Sequence, residues 1–167
     1  MRGTYTLLIR CKSSAGVTFG KLGASKLRRG YLLYTGSALG RGRSALENRI
    51  ERHASKSKRV RWHVDYLTSR AEFDVKAAVL LNSRKRLECA INRSINNEMA
   101  VKPILPRLGS SDCNCNAHLL SVASLENETE IRRTLEGIYT GFGRSLTFTF
   151  RRTRSVGPLP ISSRTRL

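Results

Sequence analysis

The pattern of hydrophobic and polar residues predicts three short β-strands near the beginning of the chain. Thr4–Cys11 alternates with a period of two, and Val17–Leu22 and Tyr31–Thr35 follow as shorter runs of strand-forming residues. Gly30 and Gly36 bound the third run, as turn residues would. Short strands joined by tight turns favour a small antiparallel sheet.

Two later stretches carry apolar residues at helical spacing, and they predict helices over residues 44–55 and 86–99. Residues 72–81 alternate again and predict a further strand between these helices. A helix over 128–137 and a strand over 146–151 complete the predicted elements. We therefore expect an α/β (α+β) fold, in which helices flank a small three-stranded antiparallel sheet.

The same pattern divides the chain into three parts. We expect residues 1–125 to form one domain and residues 126–151 to add a C-terminal helix and strand that pack on it. Residues 152–167 are predicted to be a mobile basic tail. From Arg151 onward the chain has five arginines and no acidic residue, too little apolar surface to order itself.

The composition adds a strong positive charge to this picture. The formal net charge is +19, with 31 lysines and arginines against 12 aspartates and glutamates. Such an excess predicts a polyanionic partner, with nucleic acid ahead of an anionic membrane surface. A basic component of a larger assembly is the alternative that the charge alone leaves open.

The sequence predicts a cytoplasmic protein without membrane association. The longest apolar run, Ala77–Leu81, is far shorter than the ~20 residues that a membrane-spanning helix needs. Met1–Tyr5 lacks the apolar centre of a secretory signal. The four cysteines do not have the spacing of a disulfide framework, which favours a reducing environment.

Five side chains suggest chemistry on phosphodiesters: Tyr5, Tyr34, Arg49, His53 and Glu88. Arg49 and His53 are four residues apart in a predicted helix, so they share one face of it. Two phenols, a guanidinium, an imidazole and a carboxylate are the groups that metal-assisted phosphodiester cleavage requires. Each also has a structural interpretation: the tyrosines as core residues, Arg49 as a solvated helix cation, His53 as a helix C-cap, and Glu88 as an ion-pair partner of Arg84.

The segments around these residues resemble a known nuclease superfamily. Gly3-Thr4-Tyr5 and Tyr34-Thr35-Gly36 resemble the two halves of the motif that names the GIY-YIG nucleases, with threonine in place of the isoleucine. Arg49 and His53 follow on the next predicted helix, and Glu88 lies on the next long one, as in that superfamily.

Residues 3–122 resemble one poorly characterised branch in particular, the domain of unknown function 123. The similarity rests on these motifs, in this order: Gly20-Lys21-Leu22-Gly23, Tyr34-Thr35-Gly36-Ser37-Ala38, Arg52-His53, Trp62-His63-Val64-Asp65-Tyr66-Leu67 and Gly109-Ser110-Ser111-Asp112-Cys113. The gap between the two halves of the nuclease motif is longer than usual and holds an extra hairpin-like segment.

The resemblance implies hydrolysis assisted by one Mg²⁺ or Mn²⁺ ion, bound by Glu88. It makes Arg49 the group that neutralises the charge developing on the phosphate in the transition state. It makes Tyr5 the base, with Tyr34 orienting either Tyr5 or the attacking water. His53 is an alternative base or a phosphate ligand. A phenol has an ordinary pKa of about 10, so we expect surrounding positive charge to lower it.

The predicted helix over 44–55 is followed by residues suited to nucleic-acid binding. Lys56, Lys58, Arg59 and Arg61 predict contacts with phosphates, and Trp62 predicts either base stacking or a core position. Three further polar residues are predicted to support the site. They are His63 and Asp65, as a hydrogen-bonded pair or as solvent-facing residues, and Asp112, as an acceptor of backbone amides.

A metal-ligand pattern lies further along the chain. Cys113, Cys115 and His118 would supply three zinc ligands, whereas a structural zinc site normally has four. His53 or His63 would be the fourth only if the fold brought one of them close. We therefore do not expect zinc and interpret the segment as a structural loop.

Together these features predict a divalent-metal-dependent endonuclease that hydrolyses phosphodiester bonds in DNA rather than RNA. The superfamily implies a structure-specific role in repair or recombination. The alternative is a nucleic-acid-binding module that retains the GIY-YIG fold without catalysis.

Overall fold

The computed structural model describes residues 1–42, 45–123 and 127–150. The elements are β1 (Gly3–Cys11), β2 (Ala15–Thr18), a 3-10 turn (Gly20–Leu22), β3 (Ala24–Leu27), β4 (Gly30–Ala38), α1 (Leu46–Ala54), α2 (Asp65–Thr68), β5 (Phe73–Asn82), α3 (Glu88–Glu98), β6 (Val101–Pro103), β7 (Leu119–Val122), α4 (Glu128–Thr140) and β8 (Ser145–Thr149). The predicted mixed α/β class is confirmed. None of the helices in these ranges combines the length and the hydrophobicity that a membrane span requires.

The main sheet has six strands in the order β6-β7-β4-β1-β5-β8, and all neighbouring strands are antiparallel. The predicted three-stranded sheet is therefore wrong. β1 pairs along its whole length with β4 and β5, so Val17–Leu22 cannot return beside it as predicted. Instead β2 pairs with β3 as a separate hairpin, and Gly20–Leu22 forms the 3-10 turn between them.

Both faces of the sheet are covered, which explains why β1 is almost entirely buried. Tyr5, Leu7 and Ile9 face a core that includes α1, α2 and the β2–β3 hairpin. Leu8 belongs to a second core, built with α3 and α4 on the opposite face. Strands buried on both faces carry near-continuous apolar sequence, as the run Ala77–Leu81 in β5 does.

The C-terminal part of the described chain completes this second core. Asn127 and Glu130 form a capping box at the start of α4, which continues to Thr140 instead of ending at the predicted Gly137. The hydroxyl of Tyr139 on α4 lies 2.8 Å from Oγ1 of Thr6, and β8 pairs with β5. The boundary predicted near residue 125 and the tail predicted for 152–167 lie outside the described residues.

Gly3, the first residue of β1, lies unusually close to the neighbouring strand. A Cβ atom there would lie 1.8 Å from the backbone carbonyl oxygen of Leu81. We expect Gly3→Ala to lower the free energy of unfolding by at least about 1–3 kcal/mol, because a backbone atom has to move. Denaturant unfolding measures the change.

The control for this variant is Gly16→Ala in β2, where a Cβ atom would have no neighbour within 4 Å. We expect the control to change the free energy of unfolding by less than about 0.5 kcal/mol. Equal effects of the two substitutions would contradict the close approach at Gly3.

Candidate active site

The register of β1 and β4 brings two tyrosines to the same face of the sheet. Tyr5 pairs with Gly36, and Tyr34 pairs with Leu7 two residues further along. A Cβ atom on Gly36 would lie 2.8 Å from the phenol oxygen of Tyr5 and 3.2 Å from the ring of Tyr34. The glycine of Tyr34-Thr35-Gly36 therefore leaves room for both rings, which pack edge to face with centroids 6.2 Å apart.

Tyr5 begins a chain of buried hydrogen bonds. Its hydroxyl lies 2.9 Å from Nε2 of His53, and Nδ1 of His53 lies 2.9 Å from Oδ1 of Asp65. Burial lowers the pKa of His53 more than Asp65 raises it, so the imidazole is neutral at pH 7. Nδ1–H then donates to the carboxylate, and Nε2 accepts from the phenol.

Asp65 is the centre of a larger network at the beginning of α2. Its Oδ2 accepts from the Arg52 guanidinium at 2.9 Å and from the backbone amides of Arg61 and Trp62 at 3.0 Å. Burial alone would raise the pKa of Asp65. The hydrogen bonds from His53, Trp62 and Arg52 outweigh burial and hold the pKa well below its usual range, so Asp65 is ionised.

The predicted pair of His63 and Asp65 does not form. Asp65 contacts His53 instead, and Nδ1 of His63 accepts from the backbone amide of Gly109 at 3.2 Å. His53 and Asp65 therefore belong to one hydrogen-bonded unit, while His63 joins the turn before α2 to the loop before β7.

Burial raises the pKa of both tyrosines. Tyr5 is 1% exposed and Tyr34 is 6% exposed. Removal from water is the largest influence on each phenol, and the positive charge of Arg49 offsets it only in part. The expected lowering of the tyrosine pKa is therefore wrong, and both phenols are protonated at neutral pH.

A cavity of about 670 Å³ opens in front of these residues. Tyr34, Arg49 and Glu88 line its wall, whereas Tyr5 and His53 lie behind that wall. The charged residues of the lining are Lys21, Arg49, Arg61 and Arg86 against Glu88 and Asp112. This excess of cations favours an anionic ligand.

Glu88 lies at the N-terminal end of α3 and is 5% exposed. Its Oε1 accepts from Nε of Arg86 at 2.8 Å, so the ion-pair partner is Arg86 and not Arg84. Arg86 also donates to Asp112 at 2.5 Å, which makes Asp112 a partner of this pair. Oε2 of Glu88 is buried and has no hydrogen-bond partner among the described residues.

Arg49 is held at the cavity wall from two sides. Its guanidinium donates to the backbone carbonyl of Ser37 at 2.5 Å and lies 4.8 Å from the centroid of the Trp62 ring. Arg52 and Arg61 also contact the Trp62 ring, at 4.6 and 4.8 Å. Trp62 is half-buried among guanidinium groups, so a base would have to displace one of them to stack on it.

The basic residues after α1 divide into two groups. The side chain of Lys58 is only 3% exposed and donates to the carbonyls of His53 and Ser55 and to the hydroxyl of Thr68. Burial lowers its pKa to about 8. The predicted phosphate contact is therefore wrong for Lys58, which instead satisfies carbonyl groups at the end of α1.

Lys56 also has an internal role, since it contacts the backbone carbonyls of Arg70 and Phe73 and lies 3.5 Å from Asp74. Arg59 and Arg61 are exposed, and Arg61 also lines the cavity. These two arginines keep surface positions that a phosphate could reach.

Sequence reasoning gave no role in the site to Arg86, nor to Arg52, which it quotes only as part of the Arg52-His53 motif. Each stands beside a predicted site residue, Arg52 directly before His53 and Arg86 two positions before Glu88. Their closeness in sequence to predicted site residues was the only signal that could have suggested a role for them. It could not identify their hydrogen-bond acceptors, Asp65 and Asp112, because these lie in other segments of the chain.

Comparison with known proteins gives a family without a known activity. The family model described as domain of unknown function DUF123 matches residues 4–140, which include every candidate residue of the site. No curated protein and no solved structure matches the chain.

The buried His53 predicts a specific dependence of stability on pH. The pKa of folded His53 is lowered by burial, so the unfolded chain takes up this proton first as the pH falls through the ordinary histidine value of 6.5. The free energy of unfolding should therefore fall below this pH, by up to about 1.4 kcal/mol per pH unit for this proton. Denaturant unfolding between about pH 5 and pH 7 measures the slope.

The control variant is His53→Gln, which has no imidazole at this position to take up a proton on unfolding. The slope should be smaller in the variant, and the part that remains comes partly from His63, whose pKa burial also lowers. Identical slopes in the two proteins would show that His53 is not the buried neutral group described above.

Proposed function

We propose that this chain, which belongs to the family described as domain of unknown function DUF123, is a divalent-metal-dependent endonuclease that hydrolyses phosphodiester bonds in DNA. One observation carries the proposal: Tyr34, Arg49 and Glu88 share the wall of a predominantly cationic cavity. The resemblance to GIY-YIG nucleases supports it, because the residues carried over from that motif are those at the cavity and directly behind it.

Glu88 is the proposed ligand of one Mg²⁺ or Mn²⁺ ion. Its buried Oε2 has no partner within the described part of the chain, and such an atom is costly unless a cation or donor satisfies it. Hard divalent ions prefer oxygen ligands and keep several waters, so one carboxylate and a substrate phosphate can suffice. When bound, the ion would act as a Lewis acid on the scissile phosphate.

Arg49 is the proposed group that neutralises negative charge on the phosphate. A guanidinium stays protonated at all relevant pH values and offers donors in a fixed plane. The contacts with Ser37 and Trp62 hold this plane before any substrate arrives, and such preorganised charge is the usual source of electrostatic catalysis. Its buried Nε has no hydrogen-bond partner among the described residues.

His53 is the proposed final proton acceptor behind the tyrosines. The neutral imidazole can take the proton of Tyr5 at Nε2, and ionised Asp65 stabilises the imidazolium that forms. Tyr5 can then accept a proton from the cavity side, where Tyr34 lies. This assignment moves the base function from a free phenolate to a hydrogen-bonded unit of three residues.

A second candidate function is nucleic-acid binding without cleavage. Two observations favour it: burial raises the pKa of both phenols, and Arg86 already pairs with one oxygen of Glu88. The cationic cavity and the exposed Arg59 and Arg61 would serve binding equally well. Cleavage assays combined with binding assays on the same substrates distinguish the two functions.

Glu88→Gln should abolish cleavage while leaving DNA binding near normal. The substitution keeps the size of the side chain and removes the negative charge that would hold the ion. We expect the rate with Mg²⁺ or Mn²⁺ to fall by roughly 100-fold or more. The assay uses labelled linear, branched and flap DNA with matching RNA, and a chelator-treated sample sets the background.

Glu98→Gln is the matched control, because Glu98 is an exposed glutamate at the other end of α3. It should leave cleavage unchanged. Full-rate cleavage by Glu88→Gln would refute the site, and specific binding by a wild-type protein that cleaves none of these substrates would support the binding module.

Arg49→Lys should separate catalysis from affinity. Lysine keeps the charge but loses the planar donors and the contact over Trp62, so the rate should fall by about 10- to 100-fold with a small change in Kd. Single-turnover cleavage and a binding titration measure the two quantities. Arg29→Lys, on an exposed turn, is the control, and equal losses of rate and affinity in Arg49→Lys would make Arg49 a binding residue only.

A further inference from the structure

Three half-buried cysteines and one buried histidine come together beside the candidate active site. They are Cys89, Cys113, Cys115 and His118, and their ligand atoms all lie within 4.8 Å of one another. Cys89 comes from α3, the other two cysteines from the loop before β7, and His118 from the residue that precedes β7. The cysteines are free thiols.

Cys89 offers the fourth ligand atom of the cluster, which the sequence did not reveal. His53 is bonded to Tyr5 and Asp65, and His63 accepts from Gly109, so neither histidine belongs to the cluster. The distance in sequence from Cys89 to the pair Cys113 and Cys115 hid the connection, because no short motif spans it.

We propose that Cys89, Cys113, Cys115 and His118 bind one zinc ion, which fixes the N-terminal end of α3. Three thiolates and one imidazole form a common ligand set of closed, structural zinc sites. Thiolates are soft ligands that suit zinc and not Mg²⁺, so this site is distinct from the one proposed at Glu88.

The geometry is close to what a tetrahedral site needs. Zinc–ligand distances of about 2.0–2.3 Å place the ligand atoms of a tetrahedron roughly 3.5–3.8 Å apart. Sγ of Cys113 already lies 3.6 Å from Nε2 of His118. The remaining separations are at most 4.8 Å, and rotation of the half-buried cysteine side chains would have to close them by about 1 Å on binding.

The surrounding hydrogen bonds hold the loop in place for such a site. The guanidinium of Arg107 donates to the backbone carbonyls of Cys113 and Cys115, and the hydroxyl of Ser110 donates to the carbonyl of Cys115 at 2.9 Å. Outer contacts of this kind orient metal ligands. By contrast, the first turn of α3 has no side-chain cap, since Leu87 occupies the N-cap position.

The position of Cys89 gives the metal a structural consequence. Cys89 follows Glu88 directly, and successive helical residues point in directions about 100° apart. Glu88 lines the large cavity while Cys89 reaches the cluster, and His118 belongs to both. A zinc ion would therefore hold α3, the loop and β7 together at the edge of the candidate active site.

The first experiment uses the unmodified full chain and no nucleic acid, so its result is independent of the proposed nuclease activity. Purified protein dialysed against metal-free buffer should retain one zinc ion per chain by elemental analysis. Replacement by Co²⁺ should give the thiolate charge-transfer and visible bands of a tetrahedral site. Zinc well below one equivalent together with absent cobalt bands would overturn the proposal.

Thiol labelling distinguishes zinc from a disulfide in the same protein. Three cysteines should react slowly with iodoacetamide and become reactive when a chelator removes the metal, while Cys11 stays buried in β1. Cysteines that become reactive only after a reductant is added would indicate a disulfide and would refute the zinc site.

Cys89→Ser tests the fourth ligand, with Cys11→Ala as the matched control outside the cluster. We expect the zinc content after dialysis to fall below about one tenth of the wild-type value in Cys89→Ser and to stay at one equivalent in Cys11→Ala. Unchanged zinc and an unchanged cobalt spectrum in Cys89→Ser would exclude Cys89 as a ligand. The measurements on the unmodified chain decide the question even if a variant fails to fold.

Discussion

The candidate active site depends on the hydrogen bonds that the buried carboxylate of Asp65 accepts. This carboxylate is completely removed from solvent, yet it accepts from an imidazole, a guanidinium and two backbone amides. A buried charge is tolerable only with this degree of compensation, and breaking a buried ion pair typically costs about 3–5 kcal/mol. The same contacts join α1 to α2 and the segment between them, and they fix the tautomer of His53.

Burial has two opposite consequences for the chemistry of this site. It orders Tyr5, His53 and Asp65, because each polar group has a partner and little freedom to rotate. It also raises the energy of a bare phenolate, which is why the phenol pKa values rise despite the basic surroundings. A proton that leaves Tyr5 can move along the existing hydrogen bond to His53, and this transfer is uphill because the phenol pKa is raised and the imidazole pKa is lowered. The neutral state of His53 is therefore as important to the proposed mechanism as the tyrosine itself.

Local patterns predicted the elements of the fold well, and the pairing of those elements poorly. The period of two in β1 and the helical spacing in α1 and α3 depend on neighbouring residues, and these elements appear where they were expected. The six-stranded order depends on contacts between distant segments, such as β7 beside β4, which carry no signature in a single sequence. The short strand β6 (Val101–Pro103) has no counterpart among the predicted elements for the same reason.

In the candidate site, too, the sequence predicted which residues take part but not how deeply each of them is buried. Tyr34, Arg49 and Glu88 could be named from the sequence because the resemblance and the helical spacing identified them. Burial has no signature in the sequence, so the sequence alone predicts a surface cation at Lys58 and a lowered phenol pKa, and the structure contradicts both predictions. The burial of a side chain is set only when distant segments pack together. That burial decides whether a charged group contacts solvent or a backbone carbonyl.

The N-terminal end of α3 unites the two metal proposals. Glu88 offers a hard carboxylate oxygen to the large cavity, and Cys89 offers a soft sulfur to the cysteine–histidine cluster. Since adjacent residues carry these ligands, movement of the helix end would disturb both sites together. A carboxylate that has to position a catalytic ion within a fraction of an ångström needs a rigid support. The zinc-binding cluster would supply this rigidity where α3 lacks a capping side chain.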